Sequence, residues 1–165
     1  GDGANGYKAL AIHAPGNDFP LYDDLKTHIY DTGMKAGAGD QTGTVLYNRG
    51  LYAAMLAVEA VKTAQGIHGV AQIDAAMMRD GMEALEMSDE KMAALGLPGF
   101  GPAFSVSCEN HGGNGLAAVQ QWDAASKTWS LITDYIEPDA DIVSGLIAAD
   151  SAAFAAENNI TERCN

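Results

Sequence analysis

Residues 44–65 read TVLYNRGLYAAMLAVEAVKTAQ, and this stretch decides how the rest of the chain is organised. Its apolar residues recur at helical spacing and form two neighbouring stripes. The first stripe contains Leu51, Met55 and Val58. The second contains Tyr52, Leu56 and Ala60. Because almost no polar face is left, the pattern predicts a core helix that other parts of the chain cover on most sides.

Length and charge narrow the classes of protein that fit. A chain of 165 residues favours one compact unit with a real core. Its 22 acidic and 9 basic residues give a formal net charge of −13, which opposes binding to nucleic acid or to anionic lipid. Neither a membrane-spanning segment nor a signal peptide is predicted within the sequence as given, because no apolar stretch approaches about 20 residues.

Before the central helix, residues 7–13 (YKALAIH) form a short apolar run, which predicts a strand covered on both faces in a parallel sheet. Asn17 or Asp18 can cap a following helix that has Pro20 in its first turn. Gly33 ends this helix, and residues 34–43 are predicted to form a loop because they are rich in glycine and polar residues.

After the central helix, residues 73–85 place apolar side chains at helical spacing, and Ser88 can cap a short helix that ends at Leu95. Residues 97–102 (LPGFGP) hold two prolines and two glycines, which fit neither a helix interior nor a central strand. This segment is therefore interpreted as a crossing point between two parts of the fold.

The last third of the chain changes to strand character. Residues 104–108 alternate apolar and polar side chains, and residues 117–123 (AAVQQWD) and 127–133 (KTWSLIT) are further strand-like runs. Short connections between these runs predict an antiparallel meander. Pro138 then suits the first turn of a helix that fades near Asn158, with an apolar face of Ile142, Leu146, Ile147 and Phe154.

Catalytic, cofactor and metal motifs are absent from the sequence. The histidines, which lack the close spacing of a metal-binding pair, are His13, His28, His68 and His111. Residues 112–115 (GGNG) do not precede a predicted helix, so a dinucleotide site is not predicted, and no GxSxG motif occurs. We expect a protein that is not an enzyme and has no cofactor. Spacing alone leaves Cys108 and Cys164 open to either free thiols or a disulfide.

Three segments in a fixed order carry a resemblance to a known family. They are the strand that ends in PGND at residues 15–18, the helix VLYNRGLYAAMLAVEAV at residues 45–61, and the segment from GFGP at residues 99–102 to QQWD at residues 120–123. In this order they resemble the C-terminal half of periplasmic substrate-binding proteins of ABC transporters, of the branched-chain amino acid (leucine/isoleucine/valine-binding) type.

The resemblance implies an α/β chain that forms part of a two-lobed type I periplasmic binding protein fold, with a small antiparallel strand meander and a C-terminal helix. Residues 1–43 would belong to the second lobe, and residues 44–96 to the first lobe. Residues 97–137 would cross over as the meander of the second lobe, and residues 138–165 would form the C-terminal helix and tail. On this interpretation the chain is a fragment whose N-terminal half is missing.

The function that the resemblance implies is the solute-binding component of an ABC importer. It would capture a small amino-acid-like or carboxylate ligand between two lobes for delivery to a membrane permease. The alternative is a ligand-sensing receptor domain on the same fold. The expected partners are the solute, the permease, the missing N-terminal half and, for the fragment, a second copy of itself. The expected location is periplasmic.

The same resemblance suggests ligand-binding residues. Tyr47 matches the position where the family places an aromatic residue against its ligand, and Asn48 and Arg49 follow it. Asn17 and Asp18 lie after a strand end, where α/β sheets present ligands. Packing, solvation and helix capping are the competing explanations for these five residues. A periplasmic location also favours a disulfide between Cys108 and Cys164, which would hold the tail at residues 160–165 to the meander.

Overall fold

The computed structural model describes residues 2–34, 39–161 and 164. Strands and helices both occur in this part of the chain, so the fold is mixed α/β. The strands are β1 (Lys8–Ala11), β2 (Glu86–Met87), β3 (Phe104–Ser105), β4 (Ala118–Asp123) and β5 (Thr128–Leu131). The helices are α1 (Pro20–Leu25), α2 (Val45–His68), α3 (Ala75–Glu83), α4 (Asp89–Ala94) and α5 (Ala140–Asn158).

The main sheet is antiparallel, with the strand order β1-β4-β5. The predicted hairpin of residues 117–133 is confirmed, because β4 pairs with β5 and Trp122 lies opposite Trp129. The parallel sheet predicted for β1 is wrong, since β1 pairs antiparallel with β4. One face of β1 is also open, and Leu10 is 71% exposed there. The strand predicted at residues 104–108 is only two residues long and pairs with β2 instead of joining the meander.

Helix α2 forms where the sequence predicts it. The Thr44 hydroxyl accepts a hydrogen bond from the Tyr47 backbone N–H at 3.4 Å, and Gly69 ends the helix with a positive φ of 66°. The predicted cover on most sides is wrong. Buried residues of α2 are confined to Asn48, Tyr52, Glu59, Ala60 and Ala64, while Leu46 is 77% exposed. Apolar spacing thus indicated which residues can be buried, but not which of them meet a neighbour.

Helix α3 packs closely on α2 because small residues meet at the contact. Gly81 of α3 lies where a Cβ would come within 2.3 Å of the Ala60 carbonyl oxygen and 2.7 Å of the Ala64 Cβ. Asp74 caps α3 by accepting a hydrogen bond from the Met77 N–H at 2.9 Å. A residue larger than glycine at position 81 would force the two helices apart.

The hydrophobic core lies on the side of α2 that faces α4 and the predicted crossing segment. Its buried members are Tyr52, Leu85, Met87, Met92, Leu97 and Phe100. Segment 97–102 is irregular, as predicted, and it places Leu97 and Phe100 in this core. The predicted Ser88 cap is also confirmed, because its hydroxyl accepts a hydrogen bond from the Lys91 N–H at 3.2 Å.

The predicted cap of the first helix is wrong. Phe19 occupies the cap position of α1 without a side-chain hydrogen bond, while Asn17 and Asp18 are exposed. The phenyl ring of Phe19 instead packs edge-on against Phe100, with ring centroids 5.2 Å apart, so core packing fixes this helix start. Of the loop predicted at residues 34–43, residues 35–38 lie outside the described part of the chain.

The C-terminal helix α5 is present and ends at Asn158, as predicted. Its apolar face does not pack against the rest of the described chain, because Ile142, Leu146, Ile147 and Phe154 are each at least 60% exposed. A two-lobed arrangement is not shown by the described residues, and the predicted division at residues 43/44, 96/97 and 137/138 stays a prediction. In the tail, residues 162, 163 and 165 lie outside the described part.

Candidate functional site

An open cleft of about 740 Å³ lies where the first turn of α2 approaches the β4–β5 hairpin. The loop after β1 forms a third wall. The lining residues are Pro15, Gly16, Asn17, residues 41–47, Trp122, Lys127, Thr128 and Trp129. Polar loop backbone on one side and aromatic rings on the other give the cleft a mixed character, as is usual for sites that hold small organic molecules or peptide segments.

Tyr47 forms part of the cleft wall and is fixed by two other tyrosines. Its hydroxyl lies 2.6 Å from the hydroxyl of Tyr30, and its ring lies 6.1 Å from that of Tyr22, centroid to centroid. Burial raises the pKa of Tyr47, and the hydrogen bond to Tyr30 raises it further. Tyr47 therefore stays a neutral phenol at physiological pH, which can donate or accept a hydrogen bond.

Asn48 lies behind the cleft, not in its lining. Its side chain is fully buried, its Oδ1 accepts a hydrogen bond from the Tyr22 hydroxyl, and its Nδ2 donates to the carbonyl oxygens of Gly16 at 2.7 Å and Ala14 at 3.4 Å. Burial raises the pKa of Tyr22 to about 12, so that this hydroxyl remains a donor. The amide of Asn48 thus holds the loop after β1 against α2 and shapes the cleft from behind.

The other predicted ligand residues are spread more widely. Asn17 lines the cleft beside Tyr47, whereas Asp18 and Arg49 do not line it. Arg49 is exposed and makes no ion pair with another residue in the described ranges. The structure therefore brings Asn17 and Tyr47 together. Ligand binding by all five predicted residues stays a prediction.

Two tryptophans of the cleft were not predicted from the sequence. Trp122 and Trp129 face each other across β4 and β5 with ring centroids 5.5 Å apart. Trp129 also meets the edge of the Tyr7 ring at 6.0 Å. Residues 124–127 form the hairpin loop, and counting outward from these four residues places Trp122 opposite Trp129. The strand-like run predicted at residues 127–133 starts one residue before β5, so the sequence did not predict this pairing.

His13 is buried next to the cleft and belongs to the core. Its ring stacks on that of Phe100 at 5.0 Å, with an interplanar angle of 6°. Burial lowers the pKa of His13, and the positive charge of Arg49 lowers it further against the effect of a hydrogen bond to the Ala14 carbonyl. Among the described residues, no group of three or more potential metal ligands lies close enough to hold a metal ion.

Cys108 and Cys164 are joined by a disulfide, with 2.04 Å between the sulfur atoms. The bond connects the end of the chain to the segment that follows β3. Within residues 2–34, 39–161 and 164, no helix has the length and apolar character needed to cross a bilayer.

Comparison with known proteins gives one informative match. No protein-family model and no curated protein matches the chain. A crystal structure described as an ABC transporter permease from the Pseudomonas fluorescens group matches it with 39% sequence identity and a TM-score of 0.90. The match covers 100% of this chain and 40% of that one, so the chain spans about 40% of the length of the protein it matches. The comparison supports a relation to ABC transporters.

The same comparison overturns the resemblance to periplasmic substrate-binding proteins. The matched protein is named a permease, so the predicted role as a solute-binding component of an importer is wrong, and the branched-chain amino acid type and the receptor alternative have no support. The three segments that carried the resemblance are rich in Gly, Ala and Leu. Such residues recur in turns and buried helices of many proteins, so their order alone identified the family poorly.

Proposed function

We propose that the chain is a region of an ABC transport protein that lies outside the lipid bilayer and works together with a membrane permease component. The observation that carries this proposal is the match over 100% of the chain, at 39% identity, to a protein named as an ABC transporter permease. A location outside the bilayer fits the composition, because 19% of the residues are charged and charged side chains are expensive to place in hydrocarbon.

The remainder of the longer transport protein is the first proposed partner. The matched structure is longer than this chain, which covers 40% of it. Several large apolar side chains of the described part are exposed, among them Leu10 of β1 and Leu46 of α2. Such surfaces are normally covered by another domain or subunit, which supports a role within a larger assembly.

A periplasmic location is part of the proposal. The disulfide between Cys108 and Cys164 supports it, because disulfides persist in oxidising compartments and are rare in the cytosol. The role is proposed to be non-catalytic. Polar groups such as Asn48 and Glu59 are engaged in internal contacts that hold the fold together, with Asn48 bonded to Gly16 and Glu59 paired with Lys62 and Lys91.

The transported molecule is proposed to pass by or contact the cleft beside Tyr47. The cleft combines aromatic rings with polar loop residues, which suits a small amphiphilic solute such as an amino acid, an amide, a short hydroxy acid or an aromatic acid. Contact would occur while the chain is part of the transport protein, and the isolated chain is expected to bind such a solute weakly or not at all.

The test is transport in the source cells. Deleting the gene should abolish uptake of at least one radiolabelled solute from those four classes, and the wild-type gene should restore it. A Tyr47→Phe variant removes the hydroxyl but keeps the ring, so it should change the uptake KM, whereas Tyr135→Phe, whose hydroxyl bonds the Phe100 carbonyl away from the cleft, should not. Unchanged uptake of every solute after deletion would contradict the transport role.

A further inference from the structure

Helix α5 is the most exposed of the five α-helices in the described part of the chain. Every residue of Ala140–Asn158 is exposed except Ala155, which is half-buried. Its large apolar side chains recur three and four residues apart, so they form one stripe along the helix. The stripe consists of Ile142, Val143, Leu146, Ile147 and Phe154. A stripe of this size on a helix is normally buried against another surface, and no described element covers it.

A groove runs along one side of α5. It has a volume of about 810 Å³ and lies between α5 and the glycine-rich turn of residues 109–115. Val143 and Ile147 form the helix side of the groove, Asn110 and Gly113 belong to the opposite side, and the Cys108–Cys164 disulfide also lines it. Val143 and Ile147 belong to both the stripe and the groove, so the apolar stripe continues into the groove along one side of the helix.

The charged side chains of residues 128–161, the segment that leads into α5 and contains it, have a single sign. Residues 128–161 contain six acidic side chains and no lysine or arginine. Four of the six lie at or within α5, namely Asp139, Asp141, Asp150 and Glu157. An occupant must therefore supply apolar side chains for the stripe and positive charge for its acidic border.

We infer that the α5 stripe and groove form a docking surface for a helical protein segment whose apolar ridge is flanked by lysine or arginine. Helices bind apolar grooves through anchors three and four residues apart, which is the spacing that α5 presents. The inference rests on α5 and its surroundings and does not depend on the proposed transport role.

The same charges disfavour the other occupants. A second copy of the chain would bring the acidic border of one α5 against that of the other, and like charges in close contact cost several kcal/mol. An anionic membrane would be repelled by the same residues, since surface-binding helices carry lysine and arginine on their polar face. Both alternatives remain measurable outcomes of the test below.

The test uses a synthetic amphipathic helix of about 18 residues, which is five helical turns, with leucine on one face and lysine on the other. A matched peptide carries glutamate in place of every lysine. Binding of each peptide to the full chain is measured by fluorescence anisotropy at about 50 mM and about 300 mM salt. Wild type should bind the lysine peptide at least about tenfold more tightly than the glutamate peptide, and salt should reduce the difference.

Variants decide whether binding occurs at α5. A double variant, Leu146→Gln with Ile147→Gln, should weaken the lysine peptide at least about tenfold, because two apolar anchors are lost. The control is Val58→Gln with Ile67→Gln, which changes two exposed apolar residues of α2 that line neither the cleft beside Tyr47 nor the groove beside α5, and it should leave binding within about twofold. Both pairs are exposed, so circular dichroism should show that each variant folds.

Three results would overturn the inference. The first is equal binding of the lysine peptide to the α5 variant and to wild type. The second is a wild-type dimer in sedimentation that the α5 variant loses, which would make a second copy the occupant. The third is binding to phosphatidylcholine or phosphatidylglycerol vesicles that the α5 variant loses, which would make a membrane the occupant.

Discussion

Helices α2 and α5 are the two longest helices of the structure, and both are rich in alanine, yet their contacts with the rest of the chain differ. Buried residues line one side of α2, where α3 and the core around Phe100 pack against it. No residue of α5 is buried, and the disulfide from Cys108 to Cys164 connects the chain just beyond α5 to the rest of the molecule. Apolar composition alone therefore does not determine whether a helix becomes part of a core.

What separates the two helices is the presence of a complementary neighbour. Ala60 and Ala64 of α2 meet Gly81 of α3 with almost no space between the backbones. In α5 the corresponding small residue, Gly145, has open space where a Cβ would be. The close contact between α2 and α3 specifies one arrangement of these two helices. Helix α5 keeps an open surface that another protein can cover.

The largest expected effect comes from the glycine at the α2–α3 contact. Gly81→Ala should lower the free energy of unfolding by about 3 kcal/mol, because the added methyl group meets backbone atoms that cannot move aside. The matched control is Gly145→Ala in α5, which should raise it by about 0.5 kcal/mol through helix propensity. Urea unfolding followed by circular dichroism measures both. Equal effects would mean that α5 packs as tightly as α3.

Reduction of the disulfide should affect α5 more strongly than the core around α2. Closing a loop with a sequence separation of 56 residues stabilises a chain by about 4 kcal/mol on the chain-entropy estimate. We expect reduction to lower the free energy of unfolding by only about 2 kcal/mol. Helix α5, which no described element covers, gains conformational freedom in the reduced native state, and this gain offsets part of the loss. Thermolysin should then cleave α5 rapidly while residues up to β5 survive.

The control for reduction is the double variant Cys108→Ala with Cys164→Ala, which should resemble the reduced protein and should not respond to reductant. If α5 in that variant resists thermolysin as well as in the oxidised wild type, contacts other than the disulfide hold it in place.

The next effect concerns the ion pair between α2 and α4. Glu59 is 5% exposed. Its Oε1 lies 2.7 Å from the Nζ of Lys62, and its Oε2 lies 3.1 Å from the Nζ of Lys91. Burial disfavours its ionisation, but the two lysines outweigh burial and keep the pKa of Glu59 below its usual value. Lys91→Met should lower the free energy of unfolding by about 1–2 kcal/mol, because it leaves a buried carboxylate with one partner.

A surface pair provides the control for Lys91. Lys26 and Asp31 lie 2.7 Å apart, but both side chains are more than half exposed. Lys26→Met should therefore change the free energy of unfolding by less than about 0.5 kcal/mol. The same urea titration compares the two variants, and a similar loss in both would show that burial of Glu59 does not strengthen its pair with Lys91.

Short-range features of this fold could be predicted from the sequence. The cap at Ser88 and the β4–β5 hairpin depend on residues close together in the chain, and they appear where the pattern placed them. Long-range features could not be predicted. Antiparallel pairing of β1 with β4 joins residues more than a hundred positions apart, and an apolar run looks the same in a parallel or an antiparallel sheet.

The candidate site also combines residues that could be predicted from the sequence with residues that depend on long-range contacts. Asn17 was selected from its position after a strand end and Tyr47 from the resemblance to the binding-protein family, and both line the cleft. Trp122 and Trp129 were missed because the hairpin that forms one wall of the cleft is distant in sequence from the start of α2. Asn48 looked like a surface residue from its neighbours in the sequence. Its burial follows from the approach of the loop at residues 14–16, which is also a long-range event.

The smallest expected effect is a pH dependence of stability that arises from His13 in the core and not from α5. Burial lowers the pKa of His13 in the folded protein below the ordinary value of 6.5, so the unfolded chain binds its proton first as the pH falls. The stability that neutral His13 contributes is therefore complete above about pH 6.5 and decreases as the pH drops toward the folded pKa. Helix α5 contains no histidine and should keep its helicity over this range.

Unfolding midpoints in urea between about pH 7.5 and about pH 5.5 measure this slope, since aspartate and glutamate side chains with ordinary pKa values stay ionised over that range. His13→Gln should remove the His13 part of the slope, even though it lowers stability overall by losing the stack on Phe100. His28→Gln changes an exposed histidine and should leave the slope as in wild type. An unaltered slope in His13→Gln would show that His13 is protonated as easily in the folded chain as in the unfolded one, and that the core is no more sensitive to acid than α5.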